Sequence, residues 1–358
     1  MEERNTPILI APLNWGLGHA TRCIPIIRAL QLHGFMPIIA SDGMALDLLR
    51  KEFPNLQTLE LPSYQIEYPR NGAFFKLKMI QNIPKMLRAI GEEKRLVAKW
   101  IDQYEIQGII SDNRLGVFSK KVPSVYITHQ LNVLTGNTSK ISSRLHHFFI
   151  KKYNECWIPD VNRVPNLTGR LGHLKKTTLK LKYIGPLSRL HKKELPKKYD
   201  LLIILTGPEP QRSILENQLQ NEVSLFEGKV LFIKGIIEPE QKRTEIGNVT
   251  YWNFMNSIQI EQAFNESELV LCRSGYSTIM DLVCLEKKAF FIPTPGQFEQ
   301  EYLAKKLKRN GMAPFSKQEK FKLVKLQEVQ LYKGFESINT TVYWENLLSV
   351  FRTDSIKN

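Results

Sequence analysis

The run Leu201-Leu202-Ile203-Ile204-Leu205 places five apolar residues in a row with no polar alternation. A strand with one wet face alternates; a strand covered on both faces does not. The run therefore predicts a central parallel strand with helices on either side of its sheet. A parallel neighbour needs a crossover, so the segment commits its surroundings to α/β order. A second such series opens the chain. Pro7 to Pro12 is a short apolar run ending in a Gly-rich turn, Arg22 to His33 carries Ile26, Ile27 and Leu30 at helical spacing, and Met36 to Ala40 is the next strand. That is a βαβ unit.

Alternation continues in both halves. Met44 to Glu52 and Ile80 to Tyr104 read as helices, and Leu56 to Leu61, Gly108 to Ser111, Ser124 to Thr128 and Cys156 to Pro159 as strands. After residue 200, strands are expected at Val230 to Ile233, Val249 to Tyr251, Leu269 to Cys272 and Ala289 to Ile292. A chain of 358 residues exceeds what one core usually fills. The expected division is a first Rossmann-like domain over 1–184, a Pro- and Lys-rich linker over 185–199, a second Rossmann-like domain over 200–335, and a helix with its tail over 336–358. The apolar spacing from Thr341 to Phe351 predicts that the last helix packs back across the domains.

Composition bounds the partners. No stretch has the eighteen or so apolar residues that a membrane span needs, and the first ten residues do not read as a signal peptide. The expected place is the cytoplasm. Cys23, Cys156, Cys272 and Cys284 are scattered, without the C-x-x-C spacing of a zinc or redox site. The net charge of +15 points to nucleic acid, an anionic membrane surface or phosphorylated substrates. Neither an RNP motif, zinc spacing nor a helix-turn-helix supports nucleic acid.

Four loops carry candidate chemistry, each at the C-terminal end of an expected parallel strand, where open α/β sheets bind ligands. The first is Asn14-Trp15-Gly16-Leu17-Gly18-His19-Ala20-Thr21-Arg22. Gly16 and Gly18 let backbone approach a ligand, and His19 is placed to accept a proton from a hydroxyl. The same loop also fits a dinucleotide fingerprint, with Asp42 where a ribose-binding acid would stand, although Thr21 replaces the third glycine. The second loop, Thr206 to Arg212, contains Gly207, Gln211 and Arg212 at a helix start suited to a diphosphate. The third, Cys272-Arg273-Ser274-Gly275-Tyr276-Ser277-Thr278, forms an anion cradle, and Asp281 one turn later can accept both hydroxyls of a ribose. The fourth runs from Pro293 to Gln300, where Glu299 and Gln300 offer acceptors and donors to sugar hydroxyls.

In this order the loops resemble the GT-B glycosyltransferases, especially the branch with the lipid-linked N-acetylglucosaminyltransferase of peptidoglycan synthesis and related family 28-type enzymes. Gly16, Gly18 and His19 match its glycine-rich acceptor loop; Ser274, Gly275, Ser277, Thr278 and Asp281 match its ribose-binding segment; Glu299 and Gln300 match its donor-sugar turn. Gly207 to Gln211 occupy the diphosphate loop, but read Gly-Pro-Glu-Pro where Gly-Gly-Ser is commoner, which removes N–H donors. The resemblance implies two Rossmann-like domains facing across a cleft. It also implies inverting hexosyl transfer, with N-acetylglucosamine the candidate sugar, from a UDP-sugar co-substrate to a glycan or lipid-linked acceptor in cell-envelope synthesis. Neither metal nor cofactor is expected, since no Asp-x-Asp motif stands where a metal-dependent transferase needs one. His19 is the expected base, with Asp112 and His129 in reserve.

The segment Phe74, Phe75, Leu77, Met79, Ile80, Ile83, Met86 and Leu87, interleaved with Lys76, Lys78, Lys85 and Arg88, fits either a half-solvated helix or a peripheral contact on the inner membrane face. The competing functions are a UDP-sugar epimerase of the same architecture, a nucleic-acid-binding protein, and a nicotinamide dehydrogenase using the first loop.

Overall fold

The structure, a computed structural model, describes residues 6–64, 75–134, 139–236, 238–336 and 338–352. The chain divides into two compact units. The first holds residues up to Leu187 together with the stretch from Asn339, and the second runs from Ser188 to Ile338.

The first unit begins with β1 (Thr6–Pro12), α1 (Gly18–Leu32), β2 (Phe35–Ser41), α2 (Gly43–Glu52) and β3 (Thr58–Glu60). It continues with α3 (Phe75–Gln103), β4 (Gly108–Asp112), β5 (Ser124–Ile127), α4 (Ser139–Ile150), β6 (Glu155–Ile158) and β7 (Leu181–Tyr183). The seven strands form one sheet in the order β3-β2-β1-β4-β5-β6-β7. Every pairing is parallel. The order reverses between β1 and β4, where Pro12 pairs with Asp112 and the Leu13 N–H donates to the Asp112 carbonyl at 2.9 Å. That reversal opens a crevice at the strand ends.

The second unit contains β8 (Tyr199–Ile204), α5 (Gln211–Val223), β9 (Val230–Ile233), β10 (Arg243–Ile246), β11 (Val249–Trp252) and α6 (Ser257–Asn265). After them come β12 (Ser267–Cys272), α7 (Tyr276–Cys284), β13 (Ala289–Phe291) and α8 (Phe298–Arg309). Its sheet order is β10-β11-β9-β8-β12-β13, parallel except for β10, an antiparallel edge strand. β8 is the central strand its apolar run requires: Leu201, Leu202 and Ile203 are fully buried. Here the reversal lies between β8 and β12. Local chemistry fixes several helix ends. Asn256 and Gln259 form a reciprocal capping box on α6. In α8, Glu299 and Glu301 occupy the first turn, and Lys306, Lys308 and Arg309 the last, matching the helix dipole at both ends.

Three details differ from the sequence reading. The stretch expected as a linker belongs largely to the second unit, because polar contacts fasten it there. The Lys193 N–H donates to Asn265 Oδ1 at 2.9 Å, His191 contacts Glu261, and Lys198 pairs with Glu266 at 2.6 Å. The last helix, α9, spans only Trp344–Leu348, followed by a single tighter turn at Ser349–Phe351. The strands β7 and β10 and the helix α4 went unassigned from sequence; β7 and β10 are too short for a periodicity to declare itself.

Phe351 anchors the terminal stretch to the first unit. Its ring lies edge-on to Phe35 and Trp157, at 6.4 Å from each. A Cβ on Gly108 would come within 2.3 Å of that ring, so the glycine makes room for it. Phe351→Ala should cost about 3 kcal/mol of first-unit stability through the cavity it leaves. Urea unfolding followed by tryptophan fluorescence checks this.

Candidate active site

In the first unit, the reversal between β1 and β4 gathers charged side chains that the sequence scatters. Asp112, fully buried at the end of β4, accepts from Arg22 Nε at 2.6 Å, and a second Arg22 nitrogen completes the bidentate pair. Arg22 is one turn into α1, on the same face as His19. His19 Nδ1 is 3.1 Å from Asp112 Oδ1 and 2.7 Å from Arg22 Nη2. Arg22 Nη1 donates to His129 Nδ1 at 3.1 Å. Burial alone would raise the Asp112 carboxyl; Arg22 and His19 outweigh it and hold it well below the usual carboxylate range. Burial pushes the His19 imidazole down, Arg22 adds to that, and Asp112 only partly opposes it. His19 is therefore neutral near pH 7. Nδ1 cannot both accept from Arg22, which only donates, and donate to Asp112; in the tautomer whose Nδ1 proton is directed at Asp112, the Nε2 lone pair is available as a base.

A second network fixes the loop that carries His19. Arg114, fully buried just beyond β4, donates to the Pro12 carbonyl at 3.0 Å and to Glu93 at 2.8 Å, and pairs with Asp42. Glu93 also accepts from the Tyr64 hydroxyl at 2.8 Å. Asn14 Nδ2 donates to Asp42 at 3.1 Å, and its oxygen meets the start of α2. Asp42 is thus consumed by Arg114 and Asn14, and the ribose-binding role that a dinucleotide fingerprint would give it has no carboxylate to use. Gly16, with φ +74°, supplies the left-handed turn before α1, and Gly18 opens that helix.

In the second unit, the expected donor loops do converge. Arg273, at the end of β12, donates to the Ile292 carbonyl at 3.1 Å, the Pro293 carbonyl at 3.2 Å and the Gln211 carbonyl at 2.9 Å. It joins the second, third and fourth loops. Burial without a carboxylate pushes it down to about 10. The Ser274 hydroxyl donates to the Gln300 carbonyl at 2.8 Å, and the Gln300 side chain accepts from the Thr294 N–H at 2.9 Å. Gly207, with φ +110°, brings the second loop beside Thr294: a Cβ there would lie 3.7 Å from the Thr294 hydroxyl. Gly275 caps α7, whose first turn carries Ser277 and Thr278, both half-buried. Asp281 accepts from the Ser188 hydroxyl at 2.5 Å, and burial pushes its carboxyl up to about 6 despite Ser188 and Arg189. Arg212 is spent locally, on Glu209 and Glu216 at 2.6 Å and on the Lys234 carbonyl at 3.0 Å. Glu299 sits half-buried in the first turn of α8.

Residues 201–341 match the glycosyltransferase family 28 C-terminal domain. An uncharacterized glycosyltransferase of Methanopyrus kandleri is 19% identical over 80% of this chain and 85% of its own length. The UDP-N-acetylglucosamine–N-acetylmuramyl-(pentapeptide) pyrophosphoryl-undecaprenol N-acetylglucosamine transferase of Sulfurihydrogenibium is 25% identical over 67% of this chain and 70% of its own. Among solved structures, Acinetobacter baumannii MurG superposes with a TM-score of 0.58 at 13% identity, covering 97% of this chain and 99% of that one. SnogD of Streptomyces nogalater gives 0.60 at 11%, covering 97% and 94%. The chain is a glycosyltransferase with the GT-B fold, and its second unit carries the family 28 C-terminal domain.

In this glycosyltransferase the family 28 match contains the three loops that Arg273 ties together. Sequence reasoning passed over Arg22 and Arg114 as site components, although Arg22 stands three residues after His19 in a helix. Thr294, buried with an unpartnered hydroxyl oxygen, was likewise unassigned. Among the described residues no group of three or more His, Cys, Asp or Glu is placed to hold a metal ion.

The raised carboxyl of Asp281 sets a sign for stability. Its folded pKa of about 6 exceeds the ordinary 3.8, so the ionised group opposes folding above pH 6, and the penalty fades as pH falls toward 4. Asp281→Asn should therefore stabilise the second unit at pH 8 by about 2–3 kcal/mol, with the gain vanishing near pH 4. Melting curves of both proteins across that range decide it.

Proposed function

We propose that this glycosyltransferase moves a sugar from a UDP-sugar to a hydroxyl of a glycan or lipid-linked acceptor, with inversion and by single displacement. The observation that carries the reading is the constellation of Asp112, Arg22 and His19 at the β1–β4 reversal. It leaves a neutral imidazole, with its ring only slightly open to solvent, in a loop of the kind that faces the acceptor in this family.

In this reaction the acceptor hydroxyl gives its proton to His19 Nε2 as its oxygen attacks the anomeric carbon. The bond from that carbon to the diphosphate oxygen breaks on the opposite face, and the nucleoside diphosphate departs with the electron pair. Asp112 holds the imidazole through Nδ1 and stabilises the imidazolium that forms; Arg22 keeps Asp112 ionised. On the donor side, the starts of α5 and α7 direct dipoles and N–H groups at the leaving diphosphate. The Asp281 carboxylate accepts from the ribose hydroxyls, and Glu299 and Gln300 take the sugar. Arg212, committed to Glu209 and Glu216, holds the loop before α5 in shape. The likeness of the chain to the Sulfurihydrogenibium transferase supports N-acetylglucosamine as the sugar and a lipid-linked acceptor.

His19→Ala should lower kcat by at least about a hundredfold while the thermal shift given by the UDP-sugar stays intact. Asp281→Ala should abolish that shift. If His19→Ala keeps full turnover in a radiolabelled sugar-transfer assay, the base is another group. Donor binding should also weaken as pH falls through about 6, because a protonated Asp281 loses the charge that accepts both hydroxyls.

A further inference from the structure

Of the 74–88 segment singled out from sequence, Phe74 and the side chains of Phe75 to Ile83 lie outside the described residues. The turn after β13 is described in full, and two buried polar groups there stand without a partner. The Thr294 hydroxyl belongs to a residue 2% exposed and makes no hydrogen bond. Arg273 is 1% exposed, and its Nε is equally unsatisfied. A buried donor left unmade loses its hydration and gains nothing for it, so folds rarely keep one without a use. Here two occur in adjoining loops.

The two are physically joined. Arg273 Nη1 donates at 3.2 Å to the Pro293 carbonyl, which is bonded to the Thr294 nitrogen. The Arg273 hydrogen bonds all go to carbonyls. Burial pushes its guanidinium down to about 10, so it still carries its charge near pH 7. A buried cation without a counter-ion attracts an anion. The Thr294 N–H is held by Gln300 Oε1 at 2.9 Å, which fixes the residue and leaves the hydroxyl as its spare donor.

Space for an anion adjoins that hydroxyl. Gly207 is exposed, and the point its Cβ would take lies 3.7 Å from the Thr294 hydroxyl oxygen. Apart from Gly207 and its chain neighbours, no other atom of the described residues comes within 4 Å of that point. The second loop is also short of donors of its own. Pro208 and Pro210 have no N–H. The Ser213 N–H at the start of α5 goes to Glu209 at 3.2 Å, and the Arg212 side chain goes to Glu209 and Glu216. What the loop after β8 lacks, the loop after β13 holds beside it.

We propose that the Thr294 hydroxyl, backed by the Arg273 charge, donates to the β-phosphate of the bound nucleoside diphosphate. Position selects the β-phosphate over the α. Thr294 stands between Gly207 of the diphosphate loop and Gln300, to which the sugar is assigned. In a nucleotide-sugar the β-phosphate is the group that joins diphosphate to sugar. The inference rests on the UDP-sugar reading and adds to it a residue that holds the leaving group.

Calorimetric titration with UDP and with UMP tests it without acceptor or transfer. Thr294→Val replaces the hydroxyl by a methyl of nearly the same size. It should weaken UDP about tenfold and leave UMP unchanged. Thr294→Ala, which removes the hydroxyl without adding bulk, should do the same. Thr294→Ser keeps the hydroxyl and should bind UDP within about twofold of wild type. The valine variant should melt no lower than wild type, since it removes an unsatisfied buried group. A hydroxyl that only shaped the turn would weaken UMP and UDP together. The inference alone is overturned if the folded valine and alanine variants bind UDP as tightly as wild type, or lose UMP in the same proportion. If the wild-type chain binds neither UMP nor UDP, the UDP-sugar reading fails and takes this inference with it.

Discussion

The pairing of Asp112 with Arg22 carries the most consequence in this protein. Two charges taken wholly out of water cost several kcal/mol each, and their attraction repays that only when geometry is good and the remaining polar atoms are satisfied. Here the contact is bidentate, and both histidines take up further polar positions around it. The result is a carboxylate held ionised well below the usual range and an imidazole whose pKa is lowered beside it. A surface pair could do neither, because water would screen it. The same burial that makes the pair expensive gives His19 its chemistry.

The position of that pair follows from topology. Both sheets reverse strand order once near their middle, and at each reversal two loops diverge and leave a crevice at the strand ends. In the first unit the reversal receives the start of α1 and the end of β4. In the second it receives the loop before α5 and the loop before α7. Arg273 gives that second crevice its integrity, because its donors go to three separate loop carbonyls rather than to a carboxylate. Arg114 does the corresponding work in the first unit, joining the end of β1 to Asp42, just before α2, and to Glu93 on α3. In both, an arginine's several donors in fixed directions suit it to hold irregular backbone.

The α/β series were legible because a buried parallel strand writes itself as an unbroken apolar run, and because glycine and proline punctuate the turns. The run at 201–205 and the turn at Gly16–His19 were readable in this way. Short elements such as β7 gave no such signal. The loops of the candidate site were equally readable, since small residues and glycines at a strand-to-helix turn are unusual enough to stand out. The partners of the residues in those loops were not. Arg212 looked like a phosphate contact by position, yet Glu209 and Glu216, three residues before and four after, claim it. Asp42 looked like a ribose acceptor until Arg114, 72 residues away, took it.

The sequence by itself determined the class of fold, the α/β alternation of the longer strands and helices, and which loops reach the strand ends, because these depend on periodicity and on residues close in the chain. Tertiary structure alone decided what each polar side chain spends its hydrogen bonds on. Asp112 and Arg22 are 90 residues apart, and Ser188 and Asp281 are 93 apart. A carboxylate's charge state is set by its burial and by the donors around it, and neither is written in its neighbours along the chain. The helix α4 belongs to the same category: it has two apolar faces, and only packing reveals which one the core takes and which stays exposed.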